Sequence, residues 1–320
     1  MKWKSRRMNI IFMGTPDFSV GTLKALVEEG QHISLVVTQP DKPKGRGNQM
    51  QMPPVKEYAL QHEIPVFQPD RIRKRENMDI LFNYQADVIV VVAYGQILPR
   101  EILDYPKHGC INVHASLLPK YRGAAPIQWA ILNGEKVTGV TIMKMEEGLD
   151  TGPIILQREY QISEQETGGS LFDQLMTLGA QACIQAIELF MQGLVTFTKQ
   201  DHEHATHTSM IHKKLGELWW QADAIELERK IRGLNPWPSA FTYWSQKTVK
   251  IWSATVVSDK EEWSMYAPGT VCEVQKDGFF IRTGKGSLFI KELQLEGKKR
   301  MFAEEFLRGN HVNIGDCFGK

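Results

Sequence analysis

Cysteine is scarce in this chain: four in 320 residues, at Cys110, Cys183, Cys272 and Cys317. None forms a Cys-x-x-Cys pair, and sequence neighbours stand tens of residues apart. That spacing argues against a zinc cage or a disulfide framework and for a reducing compartment. Long apolar runs are missing as well. The strongest, at 88–93, has the size of a strand and not of a membrane span. Residues 1–7 are basic but have no apolar segment behind them, so they read as an extension before a start near Met8. With no address, the expected location is the cytoplasm. Charge of one sign is also lacking. The formal net charge is +1, so any hold on nucleic acid must come from local patches. Three nucleotide or nucleophile signatures are absent: Gly-x-Gly-x-x-Gly, the P-loop and Gly-x-Ser-x-Gly. Their absence disfavours a dinucleotide dehydrogenase and a serine acyl-enzyme.

What is present begins as α/β. An apolar strand at 9–13 is followed by helical spacing through Phe18, Leu23, Leu26 and Val27 to a Gly30 cap, then a strand at 33–37. Such a βαβ opening predicts a mostly parallel sheet. Further strands are expected at 88–93, 110–114, 137–145 and 154–162, with a long helix from Thr167 to Gly193. Residues 38–54 form a long loop carrying Lys42, Lys44 and Arg46 against one acid, Asp41. This is either a solvated loop or an arm that folds onto an anionic partner.

From 249 on, short strands separated by glycine turns predict a small barrel. From residue 210 onward there are 12 Lys and 5 Arg against 14 Asp and Glu. That is a modest basic excess, compatible with phosphate contacts and equally with an ordinary surface. Between the two regions, 199–214 holds His202, His204, His207 and His212 without a metal-ligand spacing. A solvated connector is expected there, and no metal.

The stretch 110–123 organises the rest. Asn112 and His114 stand two apart on a strand, so both side chains leave one face. An amide donor and an imidazole aimed into one crevice can polarise a carbonyl and move a proton. A core pair satisfied by backbone groups fits the same stretch equally well. Asp150 follows 36 residues after His114, in a polar loop expected at the carboxyl end of another strand of the sheet. There it can orient the imidazole.

The segments INVHASLLPKYRGAAPIQWAILNG and EEGLDTGPI, in this order, resemble the 10-formyltetrahydrofolate-dependent formyltransferases. Within that family the likeness is to members acting on initiator tRNA. It extends over nearly the whole chain, through 12–16, 38–41, 45–47, 93–95 and Asn235-Pro236-Trp237-Pro238. One departure is Met210, in a context where family members often carry lysine. The resemblance implies a Rossmann-like catalytic domain over 9–195, a linker over 196–212 and an OB-like tRNA-binding barrel over 213–320, after an extension at 1–8. It implies Asn112, His114 and Asp150 as the catalytic triad, and Ser116, Leu117, Leu118 and Pro119 as the folate segment. Lys42, Lys44 and Arg46 match an insert that enters the tRNA acceptor stem. The implied reaction moves the formyl group of 10-formyltetrahydrofolate to the α-amino group of methionine on initiator tRNA, for translation initiation. A monomer is expected. The alternative is the same chemistry on another amine, an amino sugar or glycinamide ribonucleotide.

Overall fold

A computed structural model describes residues 7–44 and 49–319. In chain order the first part holds β1 (Asn9–Gly14), α1 (Asp17–Glu28), β2 (His32–Val37), β3 (Lys42–Lys44), β4 (Gln49–Gln51), α2 (Pro54–Gln61), β5 (Val66–Phe67) and α3 (Arg75–Phe82). It continues with β6 (Val88–Val92), α4 (Arg100–Leu103), β7 (Cys110–His114), β8 (Arg122–Gly123), α5 (Pro126–Leu132), β9 (Val137–Lys144), β10 (Ile154–Gln161), α6 (Gly168–Gln192) and β11 (His207–Thr208). The second part holds α7 (Ala224–Gly233), β12 (Ala240–Trp244), β13 (Lys247–Val257), β14 (Val271–Gln275), β15 (Gly278–Arg282), β16 (Ser287–Leu295), β17 (Met301–Phe302) and α8 (Ala303–Gly309).

Seven strands form the main sheet in the order β10-β9-β7-β6-β1-β2-β5. The pairs β7·β6, β6·β1, β1·β2 and β2·β5 are parallel, whereas β9 runs antiparallel to both β7 and β10. Ile10 and Phe12 leave one face of β1 and Ile11 and Met13 the other, and all four are fully buried. A sheet covered on both faces explains why its central strands read as continuous apolar runs. Chain order reverses between β1 and β6, so a crevice opens at their carboxyl ends. The turns there are knit together: Tyr94 O accepts from Thr15 Oγ1 and from Gln39 Nε2, each at 3.1 Å.

Met8 belongs to this sheet and not to a free extension. It is 5% exposed, its N–H donates to Gln31 Oε1, and its carbonyl accepts from His32 N. Of the rest of the expected extension, Arg7 is exposed and residues 1–6 lie outside the described residues.

The long loop after β2 contains a hairpin, β3 paired with β4. Pro43 and the glutamines of β4 carry no strand propensity, which is why the sequence reads as loop. Arg46, expected to meet the acceptor stem, lies outside the described residues, while Lys42 is exposed. The hairpin's base is anchored by Asp41, whose carboxylate accepts from Gln68 Nε2 at 2.7 Å and Lys56 Nζ at 2.8 Å. The Gln68 bond first, then the Lys56 ammonium, holds Asp41 below the usual carboxylate value of 3.8. A depressed folded value stabilises the anchor above the unfolded pKa and loses it as pH falls through the folded one. Asp41→Asn is therefore expected to speed proteolysis within 42–52 several-fold with little change in melting temperature. Acidification below pH ~3.8 should do the same to the unaltered chain.

The chain divides into two compact units. One comprises Met1–Pro126, Val137–Gln161 and Phe172–Thr208; the other comprises Ile127–Lys136, Ile162–Leu171 and Ser209–Lys320. In the second unit β12-β13-β16-β15-β14 form an antiparallel sheet around one core, with β17 on β16. The C-terminal segment closes it. Phe318 N donates to Gly269 O just before β14, and Gly319 N donates to Tyr243 O on β12. These bonds tie the first strand to the last, the arrangement of a small barrel, and leave fewer unpaired edges.

Candidate active site

The site is built from the end of β7. Ile111 and Val113 are buried on one face of the strand, and Asn112 and His114 share the other alternation with the buried Cys110. His114 is 6% exposed, and its Nε2 lies 2.9 Å from Tyr121 O. A carbonyl only accepts, so Nε2 carries a proton. The opposite ring nitrogen, Nδ1, faces Asp150 Oδ2 at 3.7 Å. Asn112 Nδ2 lies 3.4 Å from Asp150 Oδ1. The three residues singled out from sequence are thus brought together, with the carboxylate between amide and imidazole. A ring protonated only on Nε2 would turn a lone pair toward that carboxylate. The doubly protonated ring turns an N–H toward it.

Asp150 reaches this place by an unexpected route. Because β9 is antiparallel to β7, its carboxyl end lies at the beginning of β7: Met145 N bonds Cys110 O. The chain then folds back along β7 to bring Asp150 to His114. The loop is held from the far side by Gly123 N, which donates to Asp150 Oδ2 at 2.8 Å. Gly123 has φ +98, and a Cβ there would stand 2.7 Å from Thr208 O, so glycine is required.

The segment after β7 is fixed from within. Ser116 is fully buried and its hydroxyl donates to Lys120 O at 2.7 Å. Leu118 is buried, and its N–H donates to Thr141 Oγ1. Leu117 and Pro119 are half-buried, so they are the side chains of this segment that can still meet a ligand. The Leu118–Pro119 peptide is cis.

Two features escaped the sequence. The connector is no solvated tether at its start: β11 pairs with β8, and Gln200 is 6% exposed with its amide bonded to the carbonyls of Asp150 and Gly152. A lone glutamine among polar residues gives no sequence signal of that role. Cys110, the cysteine of β7, has its thiol pushed up to about 12 by burial and is no nucleophile. Among the described residues no cluster of three or more His, Cys, Asp or Glu could hold a metal ion, and no helix is long and apolar enough to cross a membrane.

The formyl transferase family model matches residues 7–187, and the formyl transferase C-terminal domain model matches 210–311. Methionyl-tRNA formyltransferase of Agathobacter rectalis is 55% identical over 311 residues, covering 97% of this chain and 99% of that protein. That of Clostridioides difficile is 46% identical, covering 98% of this chain and 100% of its own. Among solved structures, the N-formyltransferase from Helicobacter canadensis, in complex with folinic acid and dTDP-3-aminofucose, superposes with a TM-score of 0.66 at 18% identity. It covers 88% of this chain and 98% of its own. HypX from Aquifex aeolicus in complex with tetrahydrofolic acid gives a TM-score of 0.61 at 18% identity, over 97% of this chain and 51% of that one. At those identities the structures show a shared fold. The chain belongs to the formyl transferase family, and within it to the methionyl-tRNA formyltransferases.

Proposed function

We propose that this protein transfers the formyl group of 10-formyltetrahydrofolate to the α-amino group of methionine on initiator methionyl-tRNA, with Asn112, His114 and Asp150 as its catalytic residues. The observation that carries the reading is the Asn112–Asp150–His114 cluster in a chain 55% identical, end to end, to a methionyl-tRNA formyltransferase. Work in the cytoplasm as a monomer, without a metal, is part of the same reading.

The amine attacks the formyl carbon, a C–N bond forms, and negative charge develops on the formyl oxygen. Asn112 Nδ2 and the Nδ1–H of protonated His114 are the donors left for that oxygen, because Nε2 is committed to Tyr121 O. Asp150 faces the imidazole and orients it. It can take the proton released by the amine and pass it toward the folate nitrogen as the old C–N bond breaks. Leu117 and Pro119 offer apolar surface to the folate, on a backbone fixed by Ser116 and Leu118. Lys42, Lys44 and Arg46 supply phosphate contacts for the acceptor stem, and the barrel adds further ones, among them the surface around Lys298, Lys299 and Arg300.

The direct test is formylation of charged initiator tRNA against charged elongator tRNA. Strong preference for the initiator is expected; equal rates, or better use of an amino sugar or glycinamide ribonucleotide, would sink the assignment. Arg46→Ala is expected to lower tRNA formylation roughly ten-fold or more with folate affinity kept. Arg46→Lys should restore part of the rate, since an ammonium lacks the guanidinium fork. Equal loss of folate binding would place the hairpin in the folate site instead.

A further inference from the structure

Asp150 adopts φ +53, a left-handed conformation that a residue with a Cβ keeps only when its surroundings hold it. Gly123 N holds the carboxylate, but the backbone of the turn is held by another residue. Gln200 Nε2 donates to Asp150 O at 2.8 Å and to Gly152 O at 2.7 Å, spending both amide hydrogens on the two ends of one turn. Gln200 Oε1 accepts from Arg122 Nε at 3.1 Å and Arg122 Nη2 at 2.7 Å. Gln200 and Arg122 are 6% and 3% exposed.

Donor and acceptor chemistry leaves this amide one orientation. A guanidinium only donates and carbonyls only accept, so a flipped Gln200 would oppose donor to donor and acceptor to acceptor at four contacts. For the same reason His202 Nδ1, 3.0 Å from Arg122 Nη2, is the acceptor of that pair. Arg122 is fixed in turn. Its N–H donates to Thr206 O at 2.8 Å, and its carbonyl accepts from Thr208 Oγ1 at 3.1 Å. Arg122 and Gly123 are adjacent on β8. The strand therefore grips Asp150 twice: Gly123 directly at the carboxylate, and Arg122 through Gln200 at the backbone.

We infer that Gln200, oriented by Arg122, is a positioning residue that sets the aim of Asp150 on His114 and Asn112. The inference rests on the catalytic reading of Asp150 given above. Gln200 need not meet either substrate for this. It fixes where the carboxylate stands, and a displacement of about 1 Å at such a group can cost on the order of 10²-fold in rate.

The test uses the full chain, both substrates, and a two-by-two set of Gln200→Met and Asp150→Asn. Methionine keeps the length and volume of glutamine but not its hydrogen bonds. Gln200→Met is expected to lower kcat by ~10- to 100-fold while KM for tRNA and for folate stays within about two-fold. If Gln200 works through Asp150, its substitution should cost less than about two-fold once Asp150 is already Asn. The same loss in both backgrounds would mean a general structural role and overturn the proposal, as would an unchanged kcat in Gln200→Met. Should Gln200→Met fail to fold, Gln200→Glu serves: its carboxylate still accepts from Arg122 but sets oxygens against the two carbonyls. A folded Gln200→Glu with full kcat would equally overturn the proposal. Asp150→Asn alone separates the two readings. If it keeps full activity, the catalytic reading of Asp150 fails; if it is slow while Gln200→Met and Gln200→Glu are unimpaired, only the positioning role fails.

Discussion

His114→Ala and Asn112→Ala are each expected to lower kcat by about 10²- to 10³-fold, with KM for either substrate changed far less. The magnitude follows from what each side chain can do. Asn112 contributes one amide donor beside Asp150, and His114 one N–H on the ring edge left free by Tyr121 O. Removing either deletes a donor whose value is greatest when charge has developed on the formyl oxygen, so kcat falls and ground-state binding largely persists. Asp150→Asn should also be slow and folded, since Gly123 N–H can still donate to the side-chain oxygen of asparagine. Steady-state kinetics at saturating folate, with circular dichroism for integrity, measure these effects. A near-normal kcat in either alanine variant would remove that residue from the chemistry. A large rise in KM at constant kcat would make it a binding residue.

The site was legible where chemistry and local periodicity coincide. Asn112 and His114 share a face because a strand repeats every two residues, and that much follows from Cys110, Ile111 and Val113 being apolar. Asp150 was legible as a polar loop residue, but the reason for its approach was not. The expected strand end is on the wrong edge, since β9 pairs antiparallel with β7, and the fold-back of 145–150 depends on Gly123 and Gln200. Strand direction is decided by non-local pairing, which no local pattern encodes. Gln200 shows the same limit: its partners lie 48, 50 and 78 residues away.

The division into units has the same origin. A boundary near residue 195 follows from the end of the long helix, but residues 127–136 and 162–171 cluster with the second unit. The causes are specific. Gly169 N bonds Asn235 O, Arg232 Nη1 bonds Glu166 O, and Trp129 Nε1 bonds Ser209 O. A cut just after Gln200 would therefore strand two segments of the second unit and remove β11 from β8. Tests of tRNA binding by the barrel belong on the full chain. Neutralising Lys298, Lys299 or Arg300 is expected to flatten the slope of log K against log salt by roughly 0.9 for each phosphate that the side chain pairs with.

Gly152→Ala should couple stability to activity. A Cβ at Gly152 would stand 1.8 Å from Lys144 O and 3.0 Å from its carbonyl carbon. Backbone atoms cannot rotate away as a side chain would, so β9 and the turn must separate. The separation strains the Lys144 N–H bond to Pro153 O, at 2.9 Å, and displaces Gly152 O from Gln200. Overpacking of this kind costs about 2–3 kcal/mol, which in a chain of this size is a fall in melting temperature of roughly 3–5 °C. Asp150 lies two residues upstream in the same turn and must move with it. A further loss of kcat of about ten-fold or more is therefore expected in protein that is still folded at the assay temperature. Gly309→Ala is the matched control: nothing lies within 4 Å of a Cβ there, and both stability and kcat should be unchanged within about 0.5 kcal/mol and two-fold. Thermal melts and single-turnover formylation on the two variants decide it. A Gly152→Ala protein that melts like the unaltered chain would show that the turn has room to relax. One that melts lower yet keeps full kcat would show that Asp150 is held independently of Gly152.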